Sequence, residues 1–161
     1  MQLGQAGVFA LLDLHAYYDS MVLADLFLLA VGQRYPTRIL LLACIQYLSV
    51  RHVTQEGWMS GALYPGVSVC AGETNANAMS KILLYDLLED FTYKWTLHAA
   101  LGQWVDDRAV DFQGTALQLK RIVPQALLEL RGALTRRQLT LSVKSVALAS
   151  TKELLETSWR P

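Results

Sequence analysis

The chain has 161 residues, and its fourteen lysines and arginines balance fourteen aspartates and glutamates, so the formal net charge is zero. Hydrophobic residues make up 53% and charged residues 17%, which is too apolar for a disordered chain and ample for one packed core. The zero balance argues against nucleic-acid binding through bulk positive charge, although it does not exclude a local site.

The uncharged segments predict neither a membrane span nor a secretion signal. The longest ones, 1–12 and 39–50, are shorter than the roughly 18 apolar residues that a span requires, and 57–72 is interrupted by Pro65 and four glycines. No basic segment precedes the apolar start. We therefore expect an intracellular protein, nuclear or cytoplasmic. Because the sequence opens abruptly on an apolar run and ends without a closing element, we also expect a fragment of a longer chain.

Hydrophobic periodicity predicts an alternation of strands and helices. In chain order these are a strand at 7–14, helices at 21–31 and 37–50, a strand or hairpin arm at 51–60, a loop at 61–72, a helix at 77–94, strands at 97–105 and 109–112, a helix from 115 to about 134, and a strand at 139–148. The first strand is apolar on both faces, as in a buried central strand. The order predicts a single α+β domain, with a small antiparallel sheet and helices packed on one face.

Three segments carry polar residues where strands or loops end. Asp13 ends the first strand, where a buried carboxylate costs free energy unless it binds something. Asp106 and Asp107 are adjacent where a strand turns into its hairpin partner. The third segment is the glycine-bearing loop 65–72, which runs into the polar helix start 73–77. Taken singly, each segment is typical of caps and turns.

Together these segments resemble the palm domain of reverse transcriptases, of retrotransposon and group II intron type. Asp13 followed by Tyr18-Asp19 is similar to the family's first motif, and 104–107 (WVDD) is similar to its aromatic-x-Asp-Asp motif. A helix and turn that lead to Lys144-Ser145 are similar to the next element. The segments that carry the resemblance are 8–20, 65–81, 102–112 and 130–150, and Gly32-x-x-x-Pro36 fits the same type. The resemblance implies one palm-like domain over 1–161, with fingers and thumb absent.

The resemblance further implies two-metal nucleotidyl transfer in the parent protein, which would copy an RNA template into DNA from a DNA primer and dNTPs. Two Mg²⁺ (or Mn²⁺) ions about 3.5–4 Å apart would activate the primer 3′-hydroxyl and neutralise charge on the phosphates. Such hard ions bind oxygen ligands. Asp13 and Asp106 are the first candidates as catalytic metal ligands. Asp107 is a further candidate, whose side chain must point elsewhere than that of its neighbour.

Nucleotide and nucleic-acid contacts are also implied by the resemblance. Tyr18 occupies the place of the aromatic residue that packs under the sugar and excludes a 2′-hydroxyl, although a core tyrosine with a surface hydroxyl fits the sequence too. Lys144 would approach the nucleotide phosphates. The implied nucleotide-binding residues are Leu14, Tyr18, Gly72 and Lys144, and the implied nucleic-acid-binding residues are Gly72, Arg136 and Arg137.

The glycine loop offers two alignments with the family's Gly-x-x-x-Gly. If Gly72 is the second glycine, Ser68 stands in the first place; if Gly66 is the first, Cys70 stands in the second. The altered loop keeps a second function open, a non-catalytic relic of a retroelement palm that serves as a structural or interaction domain.

A third reading is the palm of an RNA-dependent RNA polymerase. Those enzymes usually have glycine before Asp-Asp, where this chain has Val105, and they select ribose with an asparagine, for which Asn75 or Asn77 is available. The spacing from Asp13 to Tyr18 favours reverse transcriptase. Because fingers and thumb carry most basic contacts to nucleic acid, we expect the isolated chain to have little or no polymerase activity.

Overall fold

The computed structural model describes residues 6–71, 73–104 and 107–154. Its elements are β1 (Ala6–Leu12), α1 (Leu23–Gly32), α2 (Thr37–Leu48), β2 (Thr54–Gln55), β3 (Trp58–Met59), α3 (Ala76–Trp95), β4 (Ala99–Trp104), β5 (Asp107–Gly114), α4 (Ala116–Arg136) and β6 (Val146–Ala149). The chain divides into two compact units. We call the described residues of 6–15 and 85–154 the sheet unit and those of 16–84 the helix-loop unit.

The sheet unit contains four antiparallel strands in the order β4-β5-β1-β6. Alternate residues of β1 are buried, namely Val8, Ala10 and Leu12, because successive side chains of a strand point to opposite faces. Helix α4 packs against β1 and β5. The predicted α+β class, with a small antiparallel sheet and helices, is confirmed.

The second face of β1 differs from its prediction. Phe9 and Leu11 are exposed, as are their cross-strand neighbours Leu148 and Val146. An antiparallel sheet commonly packs only one face against the core. Apolar residues on both faces of β1 therefore do not require that both faces are buried. The expectation of a strand buried on both sides is wrong.

Helix α4 begins as the sequence predicts, at a capping box. The Thr115 hydroxyl accepts a hydrogen bond from the Gln118 backbone N–H at 3.3 Å, and the Gln118 side chain accepts one from the Thr115 N–H at 3.0 Å. This reciprocal pair satisfies two backbone donors that a helix start leaves open. The buried positions of α4 recur at helical spacing: Leu119, Val123, Ala126, Leu127, Leu130 and Leu134.

The chain after α4 is not the continuous strand predicted for 139–148. Leu141 forms only an isolated bridge to Leu14, and β6 begins at Val146. Between them lies a turn in which the Ser145 N–H donates to the Ser142 carbonyl at 3.1 Å and the Lys144 N–H donates to the Ser142 hydroxyl at 3.2 Å. Serine hydroxyls compete for backbone donors in this way, which interrupts a strand ladder.

Asp107 and Arg108, which were predicted to lie in a turn between two strands, belong to β5. Asp107 pairs with Trp104, and Arg108 pairs with both Gln103 and Leu12. The two residues between the strands, 105 and 106, lie outside the described residues.

In the helix-loop unit, the chain before α1 pairs with the glycine-bearing loop. The Val69 N–H donates to the Tyr18 carbonyl at 2.9 Å, the Ser68 N–H donates to the Met21 carbonyl at 3.0 Å, and the Leu23 N–H donates to the Gly66 carbonyl at 3.3 Å. Because this pairing uses the residues before Leu23, the cap position of α1 falls on Val22, which has no capping side chain. The residue types of Asp19 and Ser20 favour a helix cap, but neither residue caps α1.

Helices α1 and α2 are apolar around most of their circumference, and part of that surface is exposed. Leu28 on α1 is 73% exposed and Ile45 on α2 is 67% exposed, whereas Leu26 and Ala43 are fully buried. Exposed apolar area of this kind marks interaction surfaces or limits solubility. Among the described residues, no helix combines the length and apolarity that crossing a bilayer demands.

Candidate functional site

The register of the central strand pair brings two of the predicted ligands together. Leu12 pairs with Arg108, so the next step of the same antiparallel register sets Asp13 opposite Asp107. Residues that lie directly opposite each other project from the same face of a sheet. Asp13 and Asp107 accordingly line one cleft of about 410 Å³ in the sheet unit.

Positively charged side chains line the same cleft. Lys144 reaches it from the turn before β6, and Arg108 from β5. Arg108 is only 2% exposed, and a guanidinium buried to this extent is stable only near negative charge. The cleft therefore combines two carboxylates, which suit a cation, with a lysine, which suits an anionic group.

The backbone of Asp13 is held by the turn that carries Lys144. The Asp13 N–H donates to the Ser145 hydroxyl at 3.1 Å, and the Asp13 carbonyl accepts from the Ser142 N–H at 2.8 Å and from the Ser145 hydroxyl at 3.3 Å. Both serines are buried. None of these bonds uses the Asp13 carboxylate. The turn therefore fixes Asp13 and Lys144 beside the same cleft.

Sequence reasoning missed the role of Ser142 and Ser145, which bond the backbone of Asp13. The motif Lys144-Ser145 was noted for its lysine alone, and the strand prediction hid the turn. The available signal was the pair of serines three residues apart, because hydroxyl groups at this spacing are common in turns.

The other predicted contacts are distributed as follows. Leu14 is buried and forms the isolated bridge with Leu141. Tyr18 belongs to the helix-loop unit, and its hydroxyl donates to the Asn77 side-chain oxygen at 2.9 Å. Gly72 and Asp106 lie outside the described residues.

Arg136 and Arg137 are not among the residues that line the Asp13–Asp107 cleft. They line a second cleft of about 320 Å³ in the sheet unit, together with the acidic residues Asp86, Asp90 and Glu129. Glu129 also forms a salt bridge of 2.6 Å with Lys94. This second cleft has mixed charge and offers no uniformly positive surface for a nucleic-acid backbone.

The donor set of the first cleft fits a divalent cation. Two carboxylates at the ends of adjacent strands supply the oxygen ligands that Mg²⁺ and Mn²⁺ prefer. Within the described parts of the chain, no three histidine, cysteine, aspartate or glutamate side chains are grouped closely enough to hold a metal ion. Asp106, the third predicted ligand, falls outside those parts.

The glycine-bearing loop has its left-handed residue at Ser68, whose φ is +82°. This conformation favours glycine because it lacks a Cβ. Gly66 has no such positive φ. The backbone thus fits the alignment in which Ser68 stands at the first glycine of Gly-x-x-x-Gly.

Tyr47 is buried on α2, near the carboxylate of Glu73, which lies three residues before α3. Burial, and then the neighbouring Glu73 carboxylate, raise the pKa of Tyr47 on α2. Burial also raises the pKa of the Cys44 thiol on the same helix. No motif in the sequence pointed to Tyr47 or singled out Glu73.

No protein-family model and no curated protein matches the chain, but solved structures are similar to it in fold. Apo telomerase from Candida tropicalis, truncated from its C-terminal domain, has a TM-score of 0.65 and 14% identity, with 90% of this chain and 31% of that chain covered. Telomerase from the same organism in complex with a TWJ fragment of telomeric RNA has a TM-score of 0.68 and 12% identity, with 91% and 26% covered.

The chain thus spans less than a third of the length of these telomerases. At 12–14% identity the likeness concerns the fold. The predicted resemblance to reverse transcriptases is supported in fold alone: the chain is similar in fold to telomerase, which is a reverse transcriptase.

Proposed function

We propose that the chain is the palm of an RNA-directed DNA polymerase, and that Asp13, Asp106 and Asp107 hold two divalent cations for nucleotidyl transfer in its parent protein. The observation that carries the proposal is the single cleft lined by Asp13, Asp107 and Lys144, in a fold similar to that of telomerase.

Three described residues of the cleft, Asp13, Asp107 and Lys144, have a defined task in this proposal. When bound, two divalent ions supply Lewis acidity and activate the attacking hydroxyl. Asp13 and Asp107 hold the cations with carboxylate oxygens from adjacent strands. Lys144 attracts the nucleotide phosphates, and the turn anchored by Ser142 and Ser145 keeps this lysine beside Asp13. Tyr18, in the helix-loop unit, excludes a sugar that carries a 2′-hydroxyl.

The proposed partners are an RNA template, a DNA primer and a dNTP. Support for a nucleic-acid partner comes from the similar telomerase that is in complex with a fragment of telomeric RNA. The finer assignment to a retrotransposon or group II intron type rests on the sequence motifs, including Gly32-x-x-x-Pro36. Because the chain has no net charge, few phosphates would be neutralised, and we expect the isolated chain to bind primer and template weakly.

Titration of the chain with Mn²⁺, followed through the electron paramagnetic resonance of the free ion, tests the metal site. We expect saturable binding that Asp13→Asn and Asp107→Asn each weaken by about tenfold or more, the range seen when groups that support a metal are lost. Both substitutions remove a charge and preserve shape, and thermal unfolding checks that each variant is folded.

Asp111→Asn is the matched control, because Asp111 also lies on β5 but does not line the cleft and accepts a hydrogen bond from Gln113 at 2.9 Å. It should bind Mn²⁺ like the unchanged chain. If Asp13→Asn and Asp107→Asn bind as well as the unchanged chain, these residues are not the ligands. If the unchanged chain shows no saturable binding, the polymerase proposal fails and the non-catalytic relic is favoured.

A further inference from the structure

Two consecutive tyrosines of the helix-loop unit are anchored to the first turns of α3. The buried Tyr17 hydroxyl donates to the Ser80 carbonyl at 2.8 Å, and the Tyr18 hydroxyl donates to the Asn77 side-chain oxygen at 2.9 Å. Asn77 and Ser80 are three residues apart and thus share one face of the helix. The two tyrosine rings also contact each other, with centroids 5.5 Å apart and planes inclined by 51°.

The two anchors differ in accessibility. The bond from Tyr17 to Ser80 is buried, whereas the bond from Tyr18 to Asn77 is exposed. Tyr17 therefore acts as a fixed support for the neighbouring ring. Tyr18 presents its hydroxyl end to solvent, where a ligand has access to it, and Asn77 holds that end.

A steric barrier excludes a ligand only by the free energy needed to move the barrier aside. A tyrosine ring has few rotatable bonds but turns readily about them when nothing holds it. A ring that excludes a 2′-hydroxyl must consequently be held in place, and each contact that holds it adds to the discrimination. Asn77 supplies one such contact at the end of the ring that is farthest from the backbone.

We propose that Asn77 is a positioning residue that sets the preference of this chain for deoxyribonucleotides by holding the Tyr18 ring. The proposal rests on the polymerase function proposed above, in which Tyr18 meets the sugar. Asn77 itself touches no nucleotide in this arrangement. Its side-chain oxygen is already engaged by Tyr18.

In the competing arrangement, Asn77 contacts a ribose directly. Its removal would then change the nucleotide preference in the opposite direction. If Asn77 read a 2′-hydroxyl, its removal would weaken ribonucleotide binding. If Asn77 holds Tyr18, its removal strengthens ribonucleotide binding relative to deoxyribonucleotide binding.

The experiment is calorimetric titration of the chain with dGTP and with GTP in the presence of Mn²⁺, and the readout is the ratio of the two dissociation constants. We expect the unchanged chain to prefer dGTP, and Asn77→Ala to reduce that preference by about fivefold, the factor that one net hydrogen bond corresponds to. Tyr18→Phe should reduce it equally. The double variant should reduce it no further, because both substitutions remove one interaction.

Two further variants separate positioning from a structural role. Asn77→Asp retains an acceptor for the Tyr18 hydroxyl and should retain the preference, even if its charge weakens both nucleotides alike. Thr74→Ala, at an exposed residue shortly before α3, should leave the ratio unchanged. A loss of stability alone would lower the affinity for both nucleotides and would not change their ratio.

The outcomes distinguish this inference from the function on which it rests. An unchanged ratio in Asn77→Ala, or no preference in the unchanged chain, overturns the role of Asn77 while the Mn²⁺ site stands. If the unchanged chain prefers GTP and Asn77→Ala abolishes that preference, Asn77 contacts the ribose. The positioning role of Asn77 is then overturned as well. If neither nucleotide binds in the presence of Mn²⁺, both proposals fail.

Discussion

The sheet unit and the helix-loop unit use apolar residues differently. In the sheet unit, alternation along β5 fully buries Val110 and Phe112. In the helix-loop unit, α1 and α2 are at least as apolar, yet Leu28 and Ile45 are mostly exposed. The alternating pattern therefore identifies the buried residues of β5, whereas the uniformly apolar α1 and α2 do not show from sequence which of their residues are buried.

The two units also position their candidate functional residues by different means. Asp13 and Asp107 are set by strand register, so that every paired residue along β1 and β5 contributes to their placement. Tyr18 is set by individual contacts, among them its bond to Asn77 and the pairing of its carbonyl with Val69. We thus expect the first site to respond to core packing and the second to single polar substitutions.

The largest effect should come from the core of the sheet unit. Phe112 is fully buried on β5, and Phe112→Ala removes most of a large side chain and leaves a cavity behind. We expect the free energy of unfolding, measured by urea denaturation, to fall by about 3–5 kcal/mol. Because domains of this size are stable by only about 5–15 kcal/mol, the substitution would remove a large share of the free energy of unfolding.

The matched change in the helix-loop unit is Ile45→Ala, at a side chain that is 67% exposed. It should alter the free energy of unfolding by no more than about 0.5 kcal/mol and should improve solubility, because it reduces an exposed apolar surface. Equal losses for Phe112→Ala and Ile45→Ala would abolish the distinction between the two units.

This contrast also explains which parts of the fold were predictable from sequence. The order of the long elements and the capping box at Thr115 follow from local patterns, and the structure has both. The face that β1 buries was not predictable, because Phe9 and Leu11 are as apolar as their buried neighbours. The turn at 142–145 was missed, because apolar residues at 139, 141 and 143 alternate with polar residues as they do in a strand.

The residues of the candidate site were predictable from the sequence, but their arrangement in space was not. Asp13 and Asp107 were both candidates, but only the register from Leu12 and Arg108 sets them opposite each other. Register depends on pairing between distant segments, which local propensity does not contain. The hydrogen bond between Tyr18 and Asn77 joins residues 59 positions apart and was invisible for the same reason.

A smaller effect concerns a buried tyrosine in the helix-loop unit. Burial and the Glu73 carboxylate raise the pKa of Tyr47, so the folded chain retains this proton at a pH where the unfolded chain has lost it. The resulting stabilisation is complete below the ordinary tyrosine pKa of 10.0 and is lost as the pH rises through the higher folded value. Above pH 10 we expect this residue to reduce the free energy of unfolding by about 1.4 kcal/mol per pH unit.

Urea denaturation at pH values on both sides of 10 measures this dependence, and Tyr47→Phe should lose that part of it. Tyr93→Phe, at a side chain that is 86% exposed, is the control and should follow the unchanged chain. If Tyr47→Phe is as sensitive to alkaline pH as the unchanged chain, the burial of the Tyr47 hydroxyl does not cause this pH dependence.

A further effect is expected at Ser68, where the glycine-bearing loop meets the segment before α1. Its left-handed φ of +82° costs a residue other than glycine about 1–2 kcal/mol, and its hydroxyl donates to the Asp19 carboxylate at 3.2 Å. Ser68→Ala and Ser68→Gly both remove that hydrogen bond, but only Ser68→Gly relieves the backbone. We expect the glycine variant to exceed the alanine variant in free energy of unfolding by about 1 kcal/mol, as measured by urea denaturation. Equal stabilities would mean that Ser68 is not left-handed in solution and that the loop lacks the backbone of the Gly-x-x-x-Gly motif. A clear advantage for glycine would show that the loop keeps a left-handed backbone at this position in solution, although a residue with a side chain occupies it.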